Sequence, residues 1–321
     1  MRKILISGLM ILITIPVLAQ NHVDYKTPTK LDVEDFQTLE DRKFLDNFNL
    51  IKIPTWVRKM LKTEEKYIAP WLREQTADVY DYQQTIQIMR QGVLATDKQF
   101  AWIKKVADDC AEILHLSPTP SVFIVGNDTL MADVVNFKQP FIILSSNLVE
   151  KSNPEALRFI IGQQMGHIKC DHVFYFTLFS GELNSVGAIL GKWVQELIRS
   201  FVGKVIDLTK VDWVLASEIS ADRAGLIACQ NLDVAQRALL NLKLDIPIDQ
   251  VEINLEDYLE QYKIVKEKEA IILDRFPQSV QKGLNHWRLA GQLKLNHPFL
   301  FQRLKALQEY AESTAYQKLF E

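Results

Sequence analysis

The chain has 321 residues, 48% of them hydrophobic and 24% charged, with a formal net charge of −3. This is the balance of a folded protein with ample apolar material for a core, and it excludes a disordered or collagen-like chain. No basic stripe with interleaved aromatics occurs, so nucleic acid is not an expected partner.

Residues 1–19 read as a secretory signal peptide. Arg2 and Lys3 precede the apolar run Ile4 to Leu18, and Val17-Leu18-Ala19 supplies small or tolerated residues for cleavage. The run is short for a membrane span, and residue 20 is Gln, not the Cys of bacterial lipid attachment. The expectation is an exported chain, periplasmic or secreted. Three cysteines are present, Cys110, Cys170 and Cys229. An odd count leaves at least one free or paired between chains; the preferred reading is three small buried apolar side chains.

Residues 20–97 are expected to form an N-terminal arm and a helical lead-in, irregular to about residue 50 and helical in 54–89. Residues 98–116 predict an amphipathic helix with Trp102, Val106, Cys110 and Ile113 on one stripe, ended by the prolines of "SPTP". The β-branched runs 121–125 and 140–145 predict two neighbouring strands. Asn153-Pro154 is a helix start, with Asn as cap and Pro at the first helical position, and the helix is expected to run to about His172. Residues 173–208 are strongly apolar, but Glu182, Lys192, Glu196, Arg199, Lys204 and Asp207 interrupt them too often for a bilayer core. They predict an apolar hairpin, or a surface that meets a membrane or a partner. A further helix is expected over 212–230, and the remainder is mostly helical. The fold class is α+β, mostly helical, with helices around a small sheet.

The chemistry concentrates in "FIIGQQMGHIKCDH", residues 159–172. In a His-Glu-x-x-His helix the two imidazoles share one face and hold one zinc ion. The glutamate between them is the general base, and a third ligand comes from elsewhere. This chain carries Gln163, Gln164 and His167 at those positions. Downstream, Glu218 and Asp222 stand four residues apart on a predicted helix, where like charges repel by roughly 0.2–0.5 kcal/mol. Either this is a solvated acidic face with Arg223 nearby, or a metal or a buried cation relieves it.

"ALRFIIGQQMGHIKCDH" followed by "WVLASEISADRAGL" resembles peptidase family M48, whose pattern is a His-Glu-x-x-His helix and then a Glu-x-x-x-Asp helix. "SPTPSVFIV", "PFIILSSNLVE" and "NHPFLFQRLKAL" match the family's flanking segments in the same order, over about 98–310, with 311–321 left as a tail. The resemblance implies a zincin-like metallopeptidase domain, its small sheet packed beside the zinc-motif helix, with zinc as cofactor. It places His167 as the second zinc histidine, Glu218 as the carboxylate ligand and Asp222 as the aspartate supporting them. His297 and Arg303 fall at supporting positions, and His172 matches a histidine found five residues after the second ligand. Three positions depart from the pattern: Gln163 replaces the first zinc histidine, Gln164 replaces the catalytic glutamate, and Met131 stands where many relatives carry Asn on the substrate-side strand. An amide takes no proton from water at neutral pH, and a missing general base costs roughly 10²–10⁴ in rate. An amide oxygen is also a poor zinc ligand beside imidazole.

Three readings follow. The first is a non-catalytic member that has lost its zinc and binds extended peptides or misfolded envelope proteins, with the strand edge near 141–146 accepting the chain. The second is an active zinc endopeptidase acting on misfolded exported proteins through an altered ligand set: His167, Glu218, and Cys170 or Asp171, which follow His167 by three and four residues. The third is a membrane-surface or assembly protein working through 173–208.

Overall fold

The computed structural model describes residues 25–321, apart from 206–208, 251–253, 279, 282, 283 and 285–299. The expected leader and His297 lie outside the described residues.

The sheet has four strands, β1 (Gly92–Leu94), β2 (Val122–Val125), β3 (Ala132–Val135) and β4 (Phe141–Ser145), in the order β1-β2-β4-β3. β2 and β4 are neighbours, as the two apolar runs suggested, and pair in parallel; β3 adds to β4 antiparallel with Val134 opposite Ile142. All residues of β2 and β4 are buried. Strands covered on both faces read as continuous apolar runs rather than alternating ones. The sheet edge is therefore not at 141–146, as expected, because β4 has a partner on each side; the edge strands are β1 and β3.

Helix α6 (Pro154–Lys169) starts as its sequence dictates. The Asn153 side chain accepts the Ala156 N–H at 2.8 Å, and Pro154 occupies the first turn. Every residue from Ala156 to His167 is buried, the mark of a helix enclosed on all sides. It ends three residues earlier than expected. Asp171 adopts a left-handed conformation, φ 62°, and α7 (His172–Ser180) begins after it. The turn carries His172 back towards His167.

The main partner of α6 is α10 (Thr209–Cys229). The two backbones approach closely because small residues line the contact. A Cβ added to Gly162 would lie 2.4 Å from Ala228 Cβ, and one added to Gly166 would lie 2.7 Å from Ala224 Cβ. This approach sets the Gln163 and Asp222 side chains against each other.

One apolar core joins α6, α10, the sheet, α4 (Ala101–Ile113) and α13 (Leu300–Ala311). Along α4 the buried stripe is Ile103, Val106, Ala107, Cys110 and Ile113; Trp102, expected on it, is 38% exposed. A second core is aromatic. It includes α1 (Leu39–Asn49), which falls where an irregular arm was expected, with α3 (Ile68–Gln91), α7 and Trp213. Phe44 stacks on Trp213 with ring centroids 5.2 Å apart, and Phe179 meets Trp213 edge-on. The 173–208 segment thus contains α7, which is largely buried, then α8 (Leu183–Leu190) and α9 (Lys192–Val205). No single described helix is long and apolar enough to cross a membrane. The pair α7 and α8, bent by 79°, reaches the length and composition together. All three cysteines are free and buried.

Candidate active-site cleft

A cleft of about 290 Å³ opens between the β3 edge, α6, α7 and α10, and Gln163, Gln164, His167 and Glu218 all line it. The helix pairing therefore assembles the motif residues in one place. Two buried networks hold them.

The first joins α6, α10 and α13. Gln163 Nε2 donates to Asp222 Oδ1 at 2.8 Å, and Gln164 Nε2 donates to Gln163 Oε1 at 3.3 Å. Arg303 grips Asp222 with two bonds of 2.8 Å, and its Nη1 lies 2.9 Å from Glu218 Oε2 as an ion contact without hydrogen-bond alignment. Burial disfavours the Arg303 cation, but the Asp222 and Glu218 carboxylates outweigh that and raise its pKa. The repulsion expected between Glu218 and Asp222 is thus relieved by a buried cation, Arg303, and not by Arg223, which lies over the Tyr310 ring.

The second network runs from α6 through α7 to α1. His167 Nδ1 lies 3.0 Å from His172 Nδ1, and His172 Nε2 lies 2.8 Å from Asp41 Oδ2. Asp41 also accepts from Trp213 Nε1 at 2.9 Å and from Gln37 Nε2 at 3.2 Å. Burial pushes the Asp41 carboxyl up, but His172 and the hydrogen bonds of Ser220 and Gln37 prevail and hold it below the usual range. His172 thus bridges the Asp41 carboxylate and His167, and with Nδ1 of His167 engaged, its Nε2 is the ring nitrogen turned to the cleft. Burial, with His172 and Arg303 adding to it, lowers the His167 pKa well below 6.5 and so keeps the ring neutral.

At the cleft mouth Asp133 accepts the Val134 N–H at 2.8 Å. Solvent reaches its carboxyl through the mouth, yet the cleft walls crowd it. Desolvation, with repulsion from Glu182 and Glu218, pushes it up to about 6.

These side chains do not fit a catalytic zinc. Such a site needs three protein ligands and an open position. Gln163 points an N–H, not a lone pair, at its neighbour Asp222, Glu218 is held in an ion contact by Arg303, and of these residues His167 alone presents a free ring nitrogen. Neither proposed replacement ligand joins it. Asp171 pairs with Arg73 at 2.6 Å on the surface. Cys170 is buried and turns instead to Asp41 and His172, whose donor atoms and its own lie within 4.8 Å of one another. The sequence reading missed Asp41, Trp213 and Gln37. No local pattern marks them, and Asp41 is 131 residues from the histidine it orients.

The sheet, the enclosed motif helix and the Glu-x-x-x-Asp helix packed against it define the α+β class of metallopeptidase folds. The sequence profile of peptidase family M48 matches residues 97–311, and the chain belongs to that family. It is similar to the plastoglobule-localized metallopeptidase 48, chloroplastic, of Arabidopsis thaliana, at 23% identity over 232 residues, which are 71% of this chain and 62% of that protein. The chain thus spans less than two thirds of that relative's length. No solved structure gives a significant match. The relative corrects the expected location, since a chloroplast plastoglobule is neither a periplasmic nor a secreted destination, and residues 1–19 lie outside the described structure.

Proposed function

We propose that this member of family M48 is a pseudopeptidase, holding an extended peptide in its cleft without cutting it. The observation that carries the reading is the Gln163–Asp222 hydrogen bond. It places an amide donor where a zinc ligand would need a lone pair, and it ties Asp222 into a network already held by the buried Arg303 cation. Gln164 takes no proton from water, so the position of the general base is silent. The binding half of the reading rests on β3. It is an edge strand beside the cleft, and edge strands recruit extended chains through their backbone groups. An active endopeptidase with an altered ligand set is less well supported, because neither Cys170 nor Asp171 lines the cleft: Cys170 lies near Asp41 and His172, and Asp171 pairs with Arg73.

The test uses a fluorescein-labelled, unstructured peptide and unfolded casein. Peptide anisotropy should rise with added protein, and casein should stay intact on a gel. Casein cleavage that a chelator abolishes would overturn the proposal, and so would failure of any extended peptide to bind at micromolar protein.

A further inference from the structure

The cleft is one-sided in charge. Asp133 and Glu182 stand at its mouth and Glu218 lies deeper, and among the described residues no lysine or arginine lines it. Arg303 sits below, fully buried and committed to Asp222 and Glu218. The acceptors at the surface are incompletely used. Asp133 takes one backbone N–H through Oδ1. Glu182 takes only hydroxyls, from Tyr80 at 3.2 Å and Ser180 at 3.0 Å. His167 is 9% exposed, and its Nδ1 is engaged by His172, so its Nε2 faces the cleft without a partner. Burial in the cleft raises the Asp133 carboxyl, and repulsion from Glu182 and Glu218 adds to it. Beside these groups, Val173 and Phe176 offer apolar wall.

We propose that the cleft selects peptides carrying a lysine or arginine side chain. The ammonium or guanidinium sits between Asp133 and Glu182, and its aliphatic stem lies on Val173 and Phe176. A long basic side chain suits such a site, since it buries its stem on apolar surface while its charged head stays among polar groups. The inference rests on the reading of the cleft as a peptide site, and it names the class of peptide.

The experiment titrates the whole chain into three labelled peptides. They are unstructured, otherwise uncharged, and identical except for a central Lys, Gln or Glu. The Lys peptide should bind about tenfold more tightly than the Gln peptide, an effect of the size seen for partly desolvated charge pairs, and the Glu peptide should bind most weakly. Raising the salt should narrow the gap. Asp133→Asn and Glu182→Gln, both at exposed positions, should each lower the Lys-to-Gln ratio several-fold. Equal binding of Lys and Gln peptides would overturn the inference and leave the peptide-site reading standing. A Lys preference untouched by both variants would overturn it too. If none of the three binds, the peptide-site reading itself falls.

Discussion

Replacing Gly162 by alanine tests how the site is built. Its new Cβ would lie 2.4 Å from Ala228 Cβ and 3.2 Å from Gly225 Cα, against an optimal carbon separation of about 3.5–4.0 Å. Neither neighbour can rotate away, because both are fixed to the α10 backbone, so the helices must part by about 1 Å. Alanine gains about 1 kcal/mol over glycine in helix propensity. Overpacking a close-packed contact costs about 1–3 kcal/mol, and this clash belongs at the upper end. The expected net loss is about 1–2 kcal/mol, read as a lower urea midpoint at unchanged slope. The same displacement stretches the 2.8 Å Gln163–Asp222 bond. Gly126→Ala is the control, since nothing lies within 4 Å of the added carbon, and it should stay within about 0.5 kcal/mol of the natural chain. A Gly162→Ala variant as stable as the natural protein would refute the claim that backbone contact between α6 and α10 positions the site.

Other consequences can be measured on the same footing. Arg303→Leu leaves two carboxylates without their cation and should cost roughly 3–5 kcal/mol in urea unfolding; a loss below about 1 kcal/mol, the scale of a surface pair, would contradict the network. His167 has a folded pKa well below its unfolded value near 6.5, so the unfolded chain binds a proton first on acidification. Its contribution to stability is complete above that value and is lost as pH falls towards the folded one. Asp41, also lowered, has the same sign, starting near 3.8. Asp133, raised to about 6, has the opposite sign: its contribution is present below 3.8 and is lost as pH rises through about 6. The Asp133 contribution is common to the natural chain and His167→Gln, so from pH 7 to pH 5 the urea midpoint of the natural chain should drop relative to that of His167→Gln; equal slopes would count against the buried neutral imidazole.

The local parts of this architecture were legible in the sequence. Asn153-Pro154 marks the start of α6 because capping chemistry is local, and the two apolar runs mark β2 and β4 because burial on both faces leaves an unbroken pattern. The Glu218 and Asp222 spacing also posed the right question, a metal or a buried cation. Its answer, Arg303, lies 81 residues beyond Asp222. What stayed hidden depends on contacts distant in sequence or on single backbone angles. β3 takes the outer edge of the sheet although it precedes β4 in the chain. One left-handed residue, Asp171, folds His172 back onto His167 and ends a helix whose apolar pattern continues. Asp41 belongs to a helix in a segment that reads as an irregular arm, and only tertiary packing against Trp213 reveals it.

The most direct test of the central claim is zinc content, measured on the natural chain and on Gln163→His/Gln164→Glu, both purified without chelator. The double variant restores the missing imidazole and the missing base, and it should take up about one zinc ion per chain, while the natural chain holds none at comparable stoichiometry. A natural chain carrying about one zinc per molecule, lost on His167→Ala, would contradict the account of this cleft as a site that binds without cutting.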